Sequence, residues 1–213
     1  MIVAIDGPAG AGKSTVARRL AERLGFRYLD TGAMYRAVTW LAMQRGFDLS
    51  EGERLSQLAA ANPVTFDDAG RVSIAGTDVT ASIRASRIDR QVPVVARHHA
   101  VREVMRERQR ELGHQGDVVI EGRDIGTVVA PDAEVKVYLN ADSATRASRR
   151  QGERPDIGSD ALATDLRLRD ESDAARMRPA ADAEQIDTTN LEVDDVVARI
   201  EQLVQERLTP SRR

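Results

Sequence analysis

Residues 2–14 read IVAIDGPAGAGKS, and they are the most informative stretch of the chain. The short apolar run at 2–5 is typical of a buried strand. Residues 7–14 match the pattern G-x-x-x-x-G-K-[ST], and apolar positions recur with a helical period over residues 15–24, up to Gly25. A strand, a glycine-rich loop and a helix in this order are the elements of a phosphate-binding loop. The chain is therefore predicted to be an α/β protein that binds polyphosphate.

The chemistry of this loop comes from its backbone and from two side chains. Successive backbone N–H groups, together with the positive end of the following helix, can bind the oxygens of a polyphosphate. Lys13 can reach the β- and γ-phosphates as a compact charge, and the hydroxyl of Ser14 can hold Mg²⁺. The residues predicted to bind the nucleoside triphosphate and its metal ion are Gly7, Pro8, Ala9, Gly10, Ala11, Gly12, Lys13, Ser14 and Thr15.

The composition bounds the remaining possibilities. The chain has 213 residues, of which 34 are acidic and 31 basic, and it has no cysteine. This length suits one domain with a small insert, and the charge balance gives no reason to expect a nucleic acid polymer or a membrane as partner. The lack of cysteine excludes disulfides, thiolate metal sites and cysteine catalysis. Since no apolar run approaches the roughly 20 residues of a membrane span, we expect a cytoplasmic protein.

The basic residues are almost all arginine. Only Lys13 and Lys136 are lysines, and the other 29 of the 31 are arginines. This bias is typical of a GC-rich genome, so a single arginine is weak evidence for a site, whereas a retained lysine is stronger evidence. Lys136 lies in an alternating run at 134–139 that predicts a strand, and we interpret it as structural.

Several classes of P-loop protein lack support in the sequence. A GTPase would carry N-K-x-D to recognise guanine, and no lysine remains to build that motif. A protein kinase would carry H-R-D-x-x-x-x-N and D-F-G, which are also missing. The leading class is therefore a small kinase that acts on a small acceptor.

Two further segments bring charged residues to the ends of predicted strands. Residues 28–36 read YLDTGAMYR, and residues 117–129 read DVVIEGRDIGTVV. Ligands of open parallel sheets bind beyond the carboxyl ends of the strands, where Asp30, Arg123 and Asp124 fall. The alternative interpretation of Arg123 and Asp124 is a surface ion pair, which contributes little.

Three motifs together resemble those of the bacterial cytidylate kinase family: GPAGAGKS at 7–14, LDTGAMYR at 29–36 and EGRDIGTVVAPDA at 121–133. The similarity runs from about residue 2 to residue 205. It implies a three-layer α/β/α P-loop fold with a parallel five-stranded sheet, a small antiparallel insert and a short lid, in a single domain over residues 1–213. It also implies transfer of the γ-phosphate of MgATP to CMP or dCMP, with ATP and Mg²⁺ as the cofactors.

By the same resemblance, arginines and carboxylates bind the acceptor. A guanidinium can hold a phosphate through two hydrogen bonds, and a carboxylate can accept from the cytosine amino group. Arg169, Asp173 and Arg176 share one face of a helix predicted over 159–176, although their spacing alone would favour an exposed ladder of charges. The residues implied in CMP binding are Thr31, Arg36, Arg102, Arg123, Asp124, Arg169, Asp173 and Arg176.

The resemblance also implies a lid over about 148–158, whose arginines close over ATP and exclude water. The alternative is a basic, solvated helix end. Arg146 and Arg154 are assigned to ATP binding. Catalytic roles are implied for Lys13, Arg123, Asp124, Arg149 and Arg150.

Residues 64–74 predict a hairpin with the turn DDAG, so we expect an antiparallel insert on the acceptor side over about 62–84. Pro93 departs from the family pattern, which often has a hydroxyl residue at this position near the base. Proline offers neither a hydroxyl nor an N–H group, so that contact is missing or is supplied by another residue.

The expected partners are the small molecules ATP and CMP or dCMP, bound by a monomer. The alternatives are another small-molecule P-loop kinase, with UMP, AMP or shikimate as acceptor, and a nucleotide-binding switch without turnover.

Overall fold

The computed structural model describes residues 1–67, 69–153, 158–174 and 177–209. The chain divides into two compact units. The first unit comprises Met1–Tyr28 and Gly116–Arg213, and the second comprises Leu29–Gln115.

The described elements begin with the strand and the helix that the first motif predicts. They are β1 (Ile2–Asp6), α1 (Lys13–Leu24), β2 (Arg27–Asp30), α2 (Thr31–Gln44), α3 (Gly52–Ala61), β3 (Thr65–Phe66), β4 (Val72–Ile74), β5 (Thr77–Asp78), α4 (Ser86–Ala96), α5 (His99–Gly113), β6 (Val118–Gly122), β7 (Val135–Asn140), α6 (Ser143–Glu153), α7 (Ser159–Asp173), β8 (Glu184–Asp187) and α8 (Val193–Leu208). A 3-10 turn spans Ser82–Arg84, and a π-helical turn spans Ile125–Val129.

The main sheet, as far as the described residues show, has five parallel strands in the order β2-β6-β1-β7-β8. The central strand β1 pairs with β6 on one side, where Asp6 is opposite Gly122, and with β7 on the other, where Asp6 is opposite Tyr138. The carboxyl ends of the three central strands therefore lie side by side at one edge of the sheet. The expected three-layer α/β class with a five-stranded parallel sheet is confirmed.

The core of the first unit explains why α1 and α8 form where they do. Val16, Leu20 and Ile200 are fully or almost fully buried with Ile5 and Val137 of the sheet. Each helix carries its apolar residues on one face at helical spacing, and this face is removed from water when it packs on the sheet. Gly12 and Gly25 bound α1 in the left-handed conformation.

The second unit is helical with a small sheet. α2 packs on α4 and β4, and α3 packs on α5. β3, β4 and β5 form an antiparallel sheet, which confirms the antiparallel insert. The third strand, β5, was not expected, because only the first hairpin has a strong alternating pattern.

Two further sequence expectations concern helices. The helix predicted over 159–176 is present as α7 up to Asp173, and residues 175–176 lie outside the described part of the chain. Within the described residues, no helix is both long and apolar enough to cross a membrane.

Candidate active site

The phosphate loop joins β1 to α1 in the first unit, and its glycines are required by close backbone contacts. Gly7 has a φ of 145°, and a Cβ there would lie 2.0 Å from the carbonyl oxygen of Leu139. Gly10 has a φ of 80°, and a Cβ there would lie 2.9 Å from the Cβ of Arg146. A side chain at either position would therefore displace backbone that belongs to β7 or α6. The observed conformation of the loop therefore requires glycine at positions 7 and 10.

Lys13 is the first residue of α1, and its side chain is buried in the loop. Its Nζ donates a hydrogen bond to the carbonyl oxygen of Pro8 at 2.7 Å. Burial and, next, the nearby guanidinium of Arg123 lower the pKa of Lys13 to about 7, although Glu121 and Asp6 act in the opposite direction. The loop therefore holds an amine that binding of an anion would protonate.

Ser14 and Tyr28 both donate to one carboxylate. The Ser14 hydroxyl donates to Oε2 of Glu121 at 2.9 Å, and the Tyr28 hydroxyl donates to Oε1 of the same residue. Glu121 is buried near the carboxyl end of β6. The hydroxyl and the carboxylate offer oxygen atoms of the kind that Mg²⁺ prefers as ligands.

Two arginines of α6 contact groups around the phosphate loop. Arg146 donates to the carbonyl oxygen of Ala9 at 3.2 Å and pairs with Asp170 at 2.7 Å. The guanidinium of Arg149 donates to Oγ1 of Thr188 at 2.9 Å and to its carbonyl oxygen at 2.7 Å. These contacts contradict the alternative of a fully solvated basic helix end for Arg146 and Arg149.

Arg150, the residue after Arg149, is partly buried on α6.

Arg123 and Asp173 lie together, because Nε of Arg123 donates to Oδ2 of Asp173 at 3.0 Å. Their partial burial distinguishes this pair from the surface ion pair considered for Arg123. Asp124 begins the π-helical turn, where its carbonyl oxygen accepts hydrogen bonds from the N–H groups of Val128 and Val129.

Asp6, the last residue of β1, also contacts this turn. Its Oδ1 accepts from the N–H group of Ile125 and its Oδ2 from that of Gly126, both at 2.8 Å. Burial raises the pKa of Asp6, and this effect outweighs the opposing effect of the two N–H donors. One buried carboxylate thus joins the start of the phosphate loop to the segment that carries Arg123 and Asp124.

The second unit contains its own cluster of charges around Asp30. The Asp30 carboxylate accepts from the N–H group of Ala33 at 2.8 Å and so caps α2. It pairs with Arg36 and with Arg84, each at 3.1 Å. Burial acts to raise the pKa of Asp30, but Arg36 and Arg84 outweigh this effect and hold it below its usual value. Nε of Arg36 is buried and has no hydrogen-bond partner within the described part of the chain.

Thr31, Arg102 and Pro93 belong to the same unit. Thr31 is buried as the first residue of α2. Arg102 on α5 donates to the carbonyl oxygen of Arg97 at 3.2 Å, and its buried Nε has no partner among the described residues. Pro93 lies inside α4, where it removes one backbone donor.

Three of the expected site residues are not covered in full. Arg154 and Arg176 lie outside the described residues, and the side chain of Arg169 lies outside the described part although its backbone belongs to α7.

The sequence expectations missed several residues that the structure places in these clusters. Four of them contact an expected residue over a long distance in the sequence, which no local spacing reveals. The only available signal was a carboxylate, hydroxyl or arginine at the end of a predicted strand or helix. The missed residues are Asp6, Tyr28, Arg84, Glu121, Asp170 and Thr188. The four that contact an expected residue are Arg84, Glu121, Asp170 and Thr188.

A protein-family model described as cytidylate kinase matches residues 3–206. The chain belongs to the cytidylate kinase family. The match spans nearly all of the sequence and confirms the resemblance carried by the three motifs. Membership in the cytidylate kinase family identifies the chain as an ATP-dependent phosphotransferase.

Curated relatives agree with the family model. The cytidylate kinase of Bacillus subtilis (strain 168) is 44% identical over 216 residues, which cover 96% of this chain and 96% of the relative. The cytidylate kinase of Anoxybacillus flavithermus (strain DSM 21510 / WK1) is 48% identical over 217 residues, which cover 97% of this chain and 96% of the relative.

Among solved structures, the shikimate kinase from Bacteroides thetaiotaomicron has a TM-score of 0.52 and 15% sequence identity, with coverage of 96% of this chain and 98% of that chain. At this identity the likeness shows the fold alone. It confirms the P-loop kinase fold of this cytidylate kinase family member.

Proposed function

We propose that this protein transfers the γ-phosphate of MgATP to the 5′-phosphate of CMP or dCMP and releases ADP with CDP or dCDP. The observation that carries the proposal is the phosphate loop with its buried Lys13, in a chain that belongs to the cytidylate kinase family. The loop supports the donor, and the family supports the acceptor.

On the donor side, the backbone N–H groups of residues 7–15 bind the β- and γ-phosphates of ATP. Lys13 exchanges its hydrogen bond with the Pro8 carbonyl for the phosphate oxygens and offsets their charge. Arg146 and Arg149 are near enough to the loop to add positive charge, since they contact the carbonyl oxygen of Ala9 and the side chain of Thr188. Arg150 and Arg154 complete this set.

Ser14 and Glu121 would hold the magnesium ion. The chemistry that Mg²⁺ would supply here is to offset the negative charge of the ATP phosphates. The Ser14 hydroxyl would be one oxygen ligand, and the carboxylate that accepts its hydrogen bond at 2.9 Å orients it. Tyr28 donates to the other oxygen of Glu121 and so fixes the direction of the carboxylate.

On the acceptor side, paired arginines bind the CMP phosphate. Arg36 and Arg84 share the Asp30 carboxylate, which leaves further N–H groups of both guanidiniums for a phosphate. Arg123 is oriented by Asp173 in the same way. The residues proposed to bind the nucleoside are Thr31, Arg102, Asp124, Arg169, Asp173 and Arg176, with Arg102, Asp124 and Arg176 assigned to the cytosine edge.

The reaction needs little proton chemistry. An oxygen of the CMP phosphate, which is already an anion, attacks the γ-phosphorus of ATP. The bond from this phosphorus to the β,γ-bridging oxygen breaks, and ADP leaves with that electron pair. The main barrier is the repulsion between two anionic groups, which the arginines and Lys13 reduce while they hold the groups in line.

The proposal includes the organisation of the chain. The insert at about residues 62–84 belongs to the acceptor-binding region. The segment at about residues 148–158 forms a short lid over ATP that excludes water. The protein is proposed to act as a cytoplasmic monomer within one catalytic domain.

A coupled assay of ADP formation with CMP, dCMP, UMP, AMP and shikimate in turn tests the function. We expect strong stimulation by CMP or dCMP and weak stimulation by the other three. No stimulation by either cytidine nucleotide would exclude the proposal, and preference for another acceptor would identify a different small-molecule kinase. Tight nucleotide binding without any acceptor-dependent turnover would identify a switch.

A substitution at Asp124 tests the base contact. Asp124→Asn is expected to raise the KM for CMP about tenfold or more while it changes the KM for ATP little, because an amide can present a donor to the cytosine amino group. Asp48→Asn is the matched control, since Asp48 is an exposed aspartate outside every proposed site. Equal losses for CMP and ATP would remove Asp124 from base recognition.

A further inference from the structure

The carboxylate of Asp6 connects two segments that are far apart in the sequence. Asp6 ends β1 immediately before Gly7 of the phosphate loop, and its side chain is 5% exposed. Its two oxygens accept hydrogen bonds from consecutive N–H groups, those of Ile125 and Gly126, at 2.8 Å each. Two backbone hydrogen bonds to one buried carboxylate fix both the distance and the orientation of the segment that donates them.

Lys136 also lies against the backbone at Gly126. A Cβ on Gly126 would lie 3.3 Å from Cδ of Lys136 and 3.5 Å from Oδ2 of Asp6. The Lys136 ammonium is itself held by Asp182 at 2.9 Å. A side chain at position 126 would therefore crowd both the methylene groups of a held lysine and the Asp6 carboxylate.

The π-helical turn transmits this placement to the residues before it. The N–H groups of Val128 and Val129 both donate to the carbonyl oxygen of Asp124. Asp124 is therefore joined to a turn whose first two N–H groups are fixed by Asp6. Arg123, the preceding residue, is fixed in turn through Asp173.

We propose that Asp6 is a positioning residue that sets where Arg123 and Asp124 lie relative to the phosphate loop, and through them the selection of the acceptor base. The claim about selection of the acceptor base rests on the proposed function, whereas the claim about the placement of Arg123 and Asp124 does not. Asp6 acts through the backbone, because its side chain is buried and each of its oxygens accepts a backbone N–H donor. Burial raises the pKa of Asp6, and the two backbone hydrogen bonds act in the opposite direction.

Asp6→Asn tests the role in catalysis. Asparagine has the same shape, but its amino group faces an N–H donor, so one of the two hydrogen bonds is lost. We expect the ratio of kcat/KM for CMP to that for UMP to fall about tenfold, with a rise in the KM for CMP of similar size. A general loss of stability would lower the activity toward both acceptors equally, so the ratio separates positioning from a structural role. Asp48→Asn is the control that leaves the ratio unchanged.

A second measurement does not depend on the variant or on the acceptor. Hydrogen exchange of the Ile125 and Gly126 amides in the unsubstituted protein is expected to be at least about 100-fold slower than in an unstructured peptide. Exchange at the unstructured rate would overturn the proposal even if Asp6→Asn does not fold. A folded Asp6→Asn variant with an unchanged CMP-to-UMP ratio would also overturn it. If the protein does not use CMP at all, the exchange result still tests the hydrogen bonds that Asp6 accepts, so failure of the function and failure of the inference are distinguishable.

Discussion

The guanidinium of Arg149 binds Thr188 through two hydrogen bonds, one to Oγ1 at 2.9 Å and one to the carbonyl oxygen at 2.7 Å. Thr188 is buried, and its hydroxyl also lies within hydrogen-bond distance of the carbonyl oxygens of Ala11, at 3.2 Å, and Asn140, at 3.0 Å. The threonine that follows β8 thus connects the phosphate loop, the end of β7 and an arginine of α6.

A substitution of Thr188 is expected to impair the use of ATP. Thr188→Val keeps the shape but removes the hydroxyl that accepts from Arg149, so we expect kcat/KM for ATP to fall about tenfold. Thr188→Ser keeps the hydroxyl and is the matched control, with activity within about threefold of the unsubstituted protein. If both variants lose activity equally, the effect comes from packing and not from the hydrogen bond.

The low pKa of Lys13 predicts uptake of a proton when ATP binds. With a pKa of about 7, Lys13 is mostly neutral in the free protein at pH 8, and the phosphates of bound ATP favour its ammonium form. Isothermal titration calorimetry at pH 8 in buffers of different ionisation enthalpy should therefore show uptake of close to one proton. At pH 6, where Lys13 is already protonated, the uptake from this residue should nearly vanish.

Lys13→Arg is the control for this measurement, because an arginine stays charged over this pH range. We expect no proton uptake at pH 8 in this variant. The same uptake in both proteins would assign the proton to another group.

The metal role of Glu121 can be separated from its role in folding. Glu121→Gln keeps the size and one oxygen but removes the charge, so the apparent affinity for Mg²⁺ is expected to fall about 10–100-fold. Activity should be recovered in part at high Mg²⁺ concentration. Glu134→Gln is a matched control, because Glu134 also accepts a hydrogen bond, from the N–H group of Ile2 at 2.7 Å, and lies outside the proposed site. A loss that Mg²⁺ does not restore would contradict a metal role.

Arg84 was not expected from the sequence, and its pairing with Asp30 predicts a role in acceptor binding. We expect Arg84→Ala to raise the KM for CMP about tenfold with little change in the KM for ATP. Arg87→Ala removes an exposed arginine three residues away and should leave both constants unchanged. If the two variants behave alike, Arg84 is a surface residue that only pairs with Asp30.

The sequence predicted the elements whose determinants are local. The first strand, the glycine loop and α1 follow from an apolar run, a spacing motif and a helical period within residues 2–25, and the structure confirms them. The antiparallel insert was predicted because the hairpin at 64–74 alternates between apolar and polar residues. Its third strand has only two residues, too few for a pattern to appear.

The contacts between distant segments could not be predicted in this way. Asp6 and Ile125 are 119 positions apart, and Thr188 and Ala11 are 177 positions apart. Their meeting depends on the order of strands in the sheet, which residue spacing does not contain. Arginines were a further difficulty, since 29 of them offer many equivalent candidates, and only the partner of each one distinguishes Arg36 or Arg146 from a solvated residue.

The scarcity of lysine also has a practical side for chemical labelling. The two side-chain amines of this chain differ in their surroundings, because Lys136 is bound to Asp182 and Lys13 lies inside the phosphate loop with a pKa of about 7. Acylating reagents attack amines only in the neutral form, which Lys13 provides at neutral pH and an ordinary lysine, with a pKa of about 10.4, does not. A small acylating reagent without phosphate groups would thus react with Lys13 of the nucleotide-free protein in preference to an ordinary lysine, and bound ATP, which favours the ammonium form, would protect it.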